Sequence, residues 1–330
     1  MPIHTENTAV TGSADSGPRS GVSRLLAGMV VSTDLTETRR FYETFLGLDC
    51  VRCAPDRMLV RDQHTRAAMD AGDESVFVLD VRHADSIENP QRQLHHWGLT
   101  VGSAAEVDRV HAAAKAQKED LGIRKLFPVS NLHGAHSFYM ADRDMNWWEI
   151  ERRIDGLDNE AFFARGDIGE EGPVKEAPAI DTPPPPVKQG DPIVVSAVLT
   201  HGTCEQFVLE TSRTFVEQVL GLRCVRHLPP AQVIAGRGGF GIFAIRLPRI
   251  APQQFQNRWI VGVDSAADVK AVSLRAEVAA EPLGLKSTAM SDDGQSCVVQ
   301  DADGNWWEVI VSATAEYQAM FGRGDVEQHA

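Results

Sequence analysis

The stretch His136-Ser137-Phe138-Tyr139-Met140-Ala141-Asp142-Arg143-Asp144-Met145-Asn146-Trp147-Trp148-Glu149 decides how the chain is read. It returns 159 residues later as Gln295-Ser296-Cys297-Val298-Val299-Gln300-Asp301-Ala302-Asp303-Gly304-Asn305-Trp306-Trp307-Glu308. Each copy reads as an apolar strand, an Asp-rich turn and a second apolar strand, with one carboxylate set among tryptophans. A lone buried carboxylate is costly, so each should be paired, protonated or bound to a cation. The repeat therefore predicts an architecture and a candidate site together.

Working outward, Phe41–Arg52 parallels Phe215–Arg226, and Trp97 followed by Gly102–Val107 parallels Trp259 followed by Asp264–Val269. The exits match too: Ala161-Phe162-Phe163-Ala164-Arg165-Gly166-Asp167-Ile168 resembles Ala319-Met320-Phe321-Gly322-Arg323-Gly324-Asp325-Val326. The chain is a tandem duplication. In its first half, patterning predicts a strand over Leu25–Val31 and a helix capped by Asp34 or Thr36 and ended by Gly47. Strands follow at Cys50–Cys53, Met58–Val60 and Val76–Val81. A second unit has strand Trp97–Val101, a helix over Ala104–Lys118 and strands at Lys125–Val129, His136–Met140 and Trp147–Ile150. The pattern predicts an α+β chain of four βαβββ modules. Residues 1–20 read as a disordered tail, 21–155 as the first domain, 156–191 as a linker with four consecutive prolines, 192–315 as the second domain and 316–330 as a C-terminal tail.

Composition bounds the function. A formal charge of −14 argues against nucleic acid or anionic membrane as partner. The absence of a long apolar run argues against a membrane span, and five scattered cysteines with no secretory leader fit a reduced cytoplasm. A small molecule is the expected partner, with homo-oligomerisation left open. Cys50-Val51-Arg52-Cys53 lies on a strand with no second pair to complete a metal site, so it reads as structural. Gly236-Arg237-Gly238-Gly239-Phe240-Gly241 lacks the helix and Lys-Ser/Thr pair of a phosphate loop and reads as a hairpin turn.

A strand, then Asp34-Leu35, Phe41-Tyr42 and Leu46-Gly47-Leu48, resembles the opening of a vicinal oxygen chelate (glyoxalase/bleomycin-resistance/extradiol dioxygenase) domain. His96-Trp97-Gly98-Leu99-Thr100-Val101 resembles the strand opening that family's second module, and His136 through Glu149 its closing hairpin. The resemblance covers both globular halves. It implies metal ligands on the first strand of the first module and on the first and last strands of the second, of which His96 and Glu149 fill the latter two. Neighbouring His95 reads as structural.

The third ligand is the difficulty, because alignment on Asp34 puts Ala27 where the first-strand histidine should be. Either the pocket binds without metal, or another histidine such as His133, His136 or His64 moves in, or the modules pair across the halves. In the last case an ungapped match of the two helices sets Ala27 opposite His201, so that His201, His96 and Glu149 form one site and Ala27, Arg258 and Glu308 a dead one. A gapped match puts Ser196 there instead. Aligning the hairpins turns His136 into Gln295 and Tyr139 into Val298, so the second half reads as degenerate and Arg258 as the ion-pair partner of Glu308.

By resemblance, the expected activity is extradiol-type ring cleavage of a catechol- or hydroquinone-like aromatic. Fe(II) is the expected metal, with Mn(II), Zn(II) or Ni(II) as alternatives. Tyr139, ten residues before Glu149, would hold a substrate oxygen, and His136 would move the proton. A glyoxalase-like lyase or isomerase is the second expectation. A metal-free protein binding an aromatic ligand between walls of Trp97, Trp147 and Trp148 is the third.

Overall fold

In the computed structural model, residues 23–73, 76–154, 158–164, 183, 186–228, 230–235, 239–251, 253–311 and 314–326 are described. The tail expected at 1–20 and most of the expected linker lie outside them. So do residues 236–238 of the glycine-rich run, whose flanking strands pair antiparallel.

The first module comprises β1 (Arg24–Ser32), α1 (Leu35–Thr44), β2 (Asp49–Ala54), β3 (Arg57–Arg61), α2 (Gln63–Asp70) and β4 (Val78–His83). The second comprises β5 (His96–Thr100), α3 (Ala104–Ala116), β6 (Lys125–Leu126), β7 (Ser130–Leu132), β8 (Ala135–Ala141) and β9 (Trp147–Arg153). After α4 (Asn159–Ala164), the third has β10 (Val198–Gln206), α5 (Leu209–Thr214), β11 (Arg223–Leu228), β12 (Ala231–Ala235) and β13 (Gly241–Arg246). The fourth has β14 (Arg258–Val263), α6 (Ala266–Leu283), β15 (Ser287–Met290), β16 (Ser296–Gln300) and β17 (Trp306–Val311), followed by α7 (Thr314–Arg323). Helix α5 runs on as a π-helical turn over Phe215–Leu220 and stops at Gly221, whose φ is +73°.

The helices start where the sequence offers a cap. Asp34 accepts from the Thr36 and Glu37 amides, and Ser103 and Ser265 cap α3 and α6 in the same way. Their buried faces carry Leu35, Phe41 and Tyr42 in α1, Val107 and Val110 in α3, and Val269 and Val272 in α6. These residues join one contiguous core with the sheet residues beneath them.

The sheets do not follow the halves. One has the order β15-β16-β17-β14-β1-β4-β3-β2, uniting the first and fourth modules. The other runs β11-β12-β13-β10-β5-β9-β8-β6, with β7 also on β8, uniting the second and third. The seams are antiparallel pairs, β1 with β14 and β10 with β5, and each has a register shift at the equivalent place, Leu25/Ala27 and Leu199/His201. Hence Ala27 and His201 hold corresponding positions, as the ungapped match predicts. Ser196 is engaged elsewhere: its hydroxyl donates to Glu106, and it accepts from the Gly102 amide at 2.8 Å.

Candidate metal centre

Three strands from the two halves converge on one site. On β5, β9 and β10, Gly98 is in register with both Glu149 and His201. The His96, Glu149 and His201 side chains therefore project from one face, with donor atoms all within 4.8 Å of one another. All three residues are buried, at 3, 2 and 5 % exposure. Gly98 makes the convergence sterically feasible, since a Cβ there would lie 1.9 Å from His201 Cε1.

The hydrogen bonds around the cluster fix which atoms face inward. His96 Nδ1 is 2.7 Å from the Gln93 carbonyl, which only accepts, so Nδ1 carries a proton and the neutral imidazole presents Nε2 as its lone pair. That Nε2 points at Glu149 Oε2 from 3.2 Å. His201 Nδ1 faces the Glu151 carboxylate at 3.6 Å and the Thr200 hydroxyl at 3.3 Å, leaving Nε2 3.4 Å from the same Glu149 oxygen. Thr100 in turn donates to Glu151 at 3.0 Å. Two imidazole lone pairs and a carboxylate thus meet with nothing donated between them. His96 Nε2 and Glu149 Oε1 have no hydrogen-bond partner among the described residues. Only protons or a cation can satisfy such a set. Burial pushes the Glu149 carboxyl pKa up, but His201 and His96 outweigh it and hold the group well below its ordinary range. For His201, burial pulls the pKa down, while Glu149 and Glu151 raise it above the usual imidazole value. Without a cation, protons fill the same hole.

Tyr139 is opposite Glu149 on β8. Burial and the Glu149 charge raise its phenol pKa, so it remains a hydroxyl. Its oxygen lies 3.0 Å from His133 Nε2, which is 3.7 Å from Glu149 Oε1. His133 and Gly134 both have positive φ (+44° and +82°), forming the two-residue turn between β7 and β8. A non-glycine residue in this conformation is uncommon, and here the turn carries a histidine whose ring reaches Tyr139 and Glu149.

His136 is not brought to the cluster, which corrects its expected role. Its Nδ1 is 2.6 Å from Asn131 Oδ1 and its Nε2 3.0 Å from Asp108 Oδ1 on α3. The cause is strand parity: His136 and Tyr139 are three residues apart, so they point to opposite faces. His64 is exposed on α2, outside the cluster. His95 is buried, and its Nε2 accepts from the Glu205 amide at 3.3 Å, a structural role. Of the three tryptophans expected as ligand walls, Trp97 packs on Trp259 and Trp148 on Tyr42 inside the core. Only Trp147 flanks Tyr139, in a small cluster of its own.

The corresponding set in the other sheet is Ala27, Arg258 and Glu308. Arg258 Nε donates to Glu308 Oε2 at 2.7 Å, the ion pair expected from sequence. Here Ile260 stands where the first site has Gly98, the glycine whose missing Cβ gives the His201 ring its room.

The fold is that of the vicinal oxygen chelate proteins. Residues 24–150 match the family model described as the Glyoxalase/Bleomycin resistance protein/Dioxygenase superfamily. Its architecture is similar to glyoxalase I from Zea mays, at 15 % identity over 94 % of this chain and 98 % of that one, with a TM-score of 0.55. It is also similar to a candidate dioxygenase from Bacillus subtilis, at 12 % identity over 93 % and 92 % of the two chains, with a TM-score of 0.51. Comparison with curated proteins finds no match. No helix among the described residues is long and apolar enough to cross a membrane.

Proposed function

We propose that the chain is a metal-dependent dioxygenase of the extradiol type, acting on a catechol- or hydroquinone-like aromatic. The observation that carries this reading is the buried, unsatisfied acceptor set of His96, Glu149 and His201 beside the Tyr139–His133 pair. Two neutral imidazoles and one carboxylate are the donor set suited to Fe(II) with open positions. When bound, the metal supplies Lewis acidity and sites for two adjacent ligand oxygens.

The remaining chemistry belongs to the side chains. Tyr139, neutral at working pH, donates a hydrogen bond to a substrate oxygen. His133 Nε2, at 3.0 Å from that phenol, accepts a proton released from the substrate and exchanges it with solvent, since its side chain is 49 % exposed. The task expected of His136 thus passes to His133. Glu151 and Gln93 keep both ligand imidazoles in the tautomer that presents Nε2.

The test is oxygen uptake by Fe(II)-loaded protein with a panel of catechols and hydroquinones, monitored with ring-cleavage absorbance. Stoichiometric uptake, lost in His201→Ala, is expected. Turnover that persists under strict anaerobiosis would replace this reading with the glyoxalase-like lyase.

A further inference from the structure

The duplicated exit segments, Ala161–Ala164 and Ala319–Gly322, belong to two short helices that lie across the inner faces of the two sheets. In the sheet without a ligand set, α7 is a permanent part of the core. Tyr317 is 1 % exposed and clusters with Ala27, Val78 and Ile260, and Phe321 lies under the Arg61 guanidinium at 4.1 Å. The chain beyond α7 is tied to β2, with Asp325 accepting from the Arg52 amide at 2.8 Å and from Arg39 at 2.7 Å.

In the site-bearing sheet, α4 is attached differently. Phe162 is clamped between two guanidinium groups, Arg153 at 3.7 Å and Arg226 at 4.2 Å, and its carbonyl accepts from Arg226. Its ring is 6.2 Å from that of Phe243, which is 5.3 Å from the His201 imidazole. Phe163 lies directly on Gly241, where a Cβ would meet the ring at 2.6 Å, and Gly241 is the Cα partner of His201 in the sheet. The six-residue helix therefore covers strand positions immediately beside a candidate ligand. Among the described residues, ring contacts and a charged hydrogen bond fasten it.

We propose that α4 is a lid: it closes the face that carries His96, Glu149 and His201, and ligands reach the cluster when Phe162 and Phe163 lift. The inference rests on the metal reading above and adds to it how the centre is reached. Closure excludes water from the cluster and limits what can approach it. Gly241 is the seat of the lid, the only residue type there that admits the Phe163 ring. The α7 side of the molecule has no such need, and accordingly Val78 stands at the position of Gly241.

The test uses the full chain loaded with Co(II), with release followed by a chromogenic chelator and uptake followed by stopped flow. Phe163→Ala removes the covering ring, and Gly241→Ala displaces it without removing it. Both should accelerate uptake and release together by at least about tenfold while leaving equilibrium affinity within about twofold of the parent chain, the signature of an opened gate. Phe321→Ala on α7 should alter neither rate. Unchanged rates in a chain that binds Co(II) would overturn the lid alone. So would faster release with a proportional loss of affinity, which means a damaged site. A parent chain that takes up no Co(II), or equal uptake by His201→Ala, would overturn the metal reading and the lid with it.

Discussion

At the residue scale the site is a matter of space and tautomer. Gly98 leaves room for the His201 ring and Gln93 turns the His96 Nε2 inward. Gly98→Ala should therefore lower Co(II) or Fe(II) affinity by about tenfold or more with the fold retained, as checked by calorimetric titration and circular dichroism. His95 supports the same region from behind. Burial, with neighbouring His96 and Arg92 adding to it, pulls its pKa down to about 3. An imidazole neutral in the folded state but protonated in the unfolded chain makes the unfolded state bind the extra proton. Stability is then fully present above the ordinary histidine pKa near 6.5 and is lost as pH falls from there towards about 3. His95→Asn, the residue that the other sheet carries as Asn257, should flatten this loss in urea titrations between pH 6.5 and 4. An unchanged slope would show that His95 does not titrate as described. Motif spacing and the internal repeat point to His96, Glu149 and His201, which the fold brings together. The parity that turns His136 away is readable from its spacing to Tyr139, whereas the turn that brings His133 to that phenol has positive φ values no residue pattern announces.

Among the elements, long amphipathic helices and apolar strands were legible and short pieces were not. α1, α3 and the first strand of the closing hairpin fall within a residue or two of their expected bounds, and the second strand runs three residues further, to Arg153. α2, α4 and the three-residue β7 have too few turns or residues to generate a period. The exit repeat was visible as a sequence match. That it forms helices laid over the sheets depends on tertiary contacts such as Phe162 with its two arginines. Asp325→Ala tests the role of such fastening at α7. Losing acceptors for the Arg52 amide and Arg39 should lower stability by about 1 kcal/mol, discounted because the side chain is half exposed. Thermal denaturation would read this as a drop of a few degrees, and no change would assign α7 entirely to Tyr317.

For the molecule as a whole, duplication and cross-pairing explain why one site is complete and one is not. Each sheet takes a module from each half, so neither half contains a whole site or a whole sheet. Unfolding should accordingly be a single calorimetric transition. Two well-separated transitions, one per half, would contradict the interleaved sheets. The module count was readable from the repeat. The pairing was left open because sequence similarity between halves is equally compatible with two self-contained domains, and only the seams β1·β14 and β10·β5 decide it. The most direct test is the divalent metal content of protein purified without chelator, for the parent chain and for His96→Ala and His201→Ala. The account predicts about one ion per chain, lost in both variants although the two histidines lie in different halves. A parent chain without metal, or a His201→Ala chain that keeps it, would contradict a centre built across the duplication.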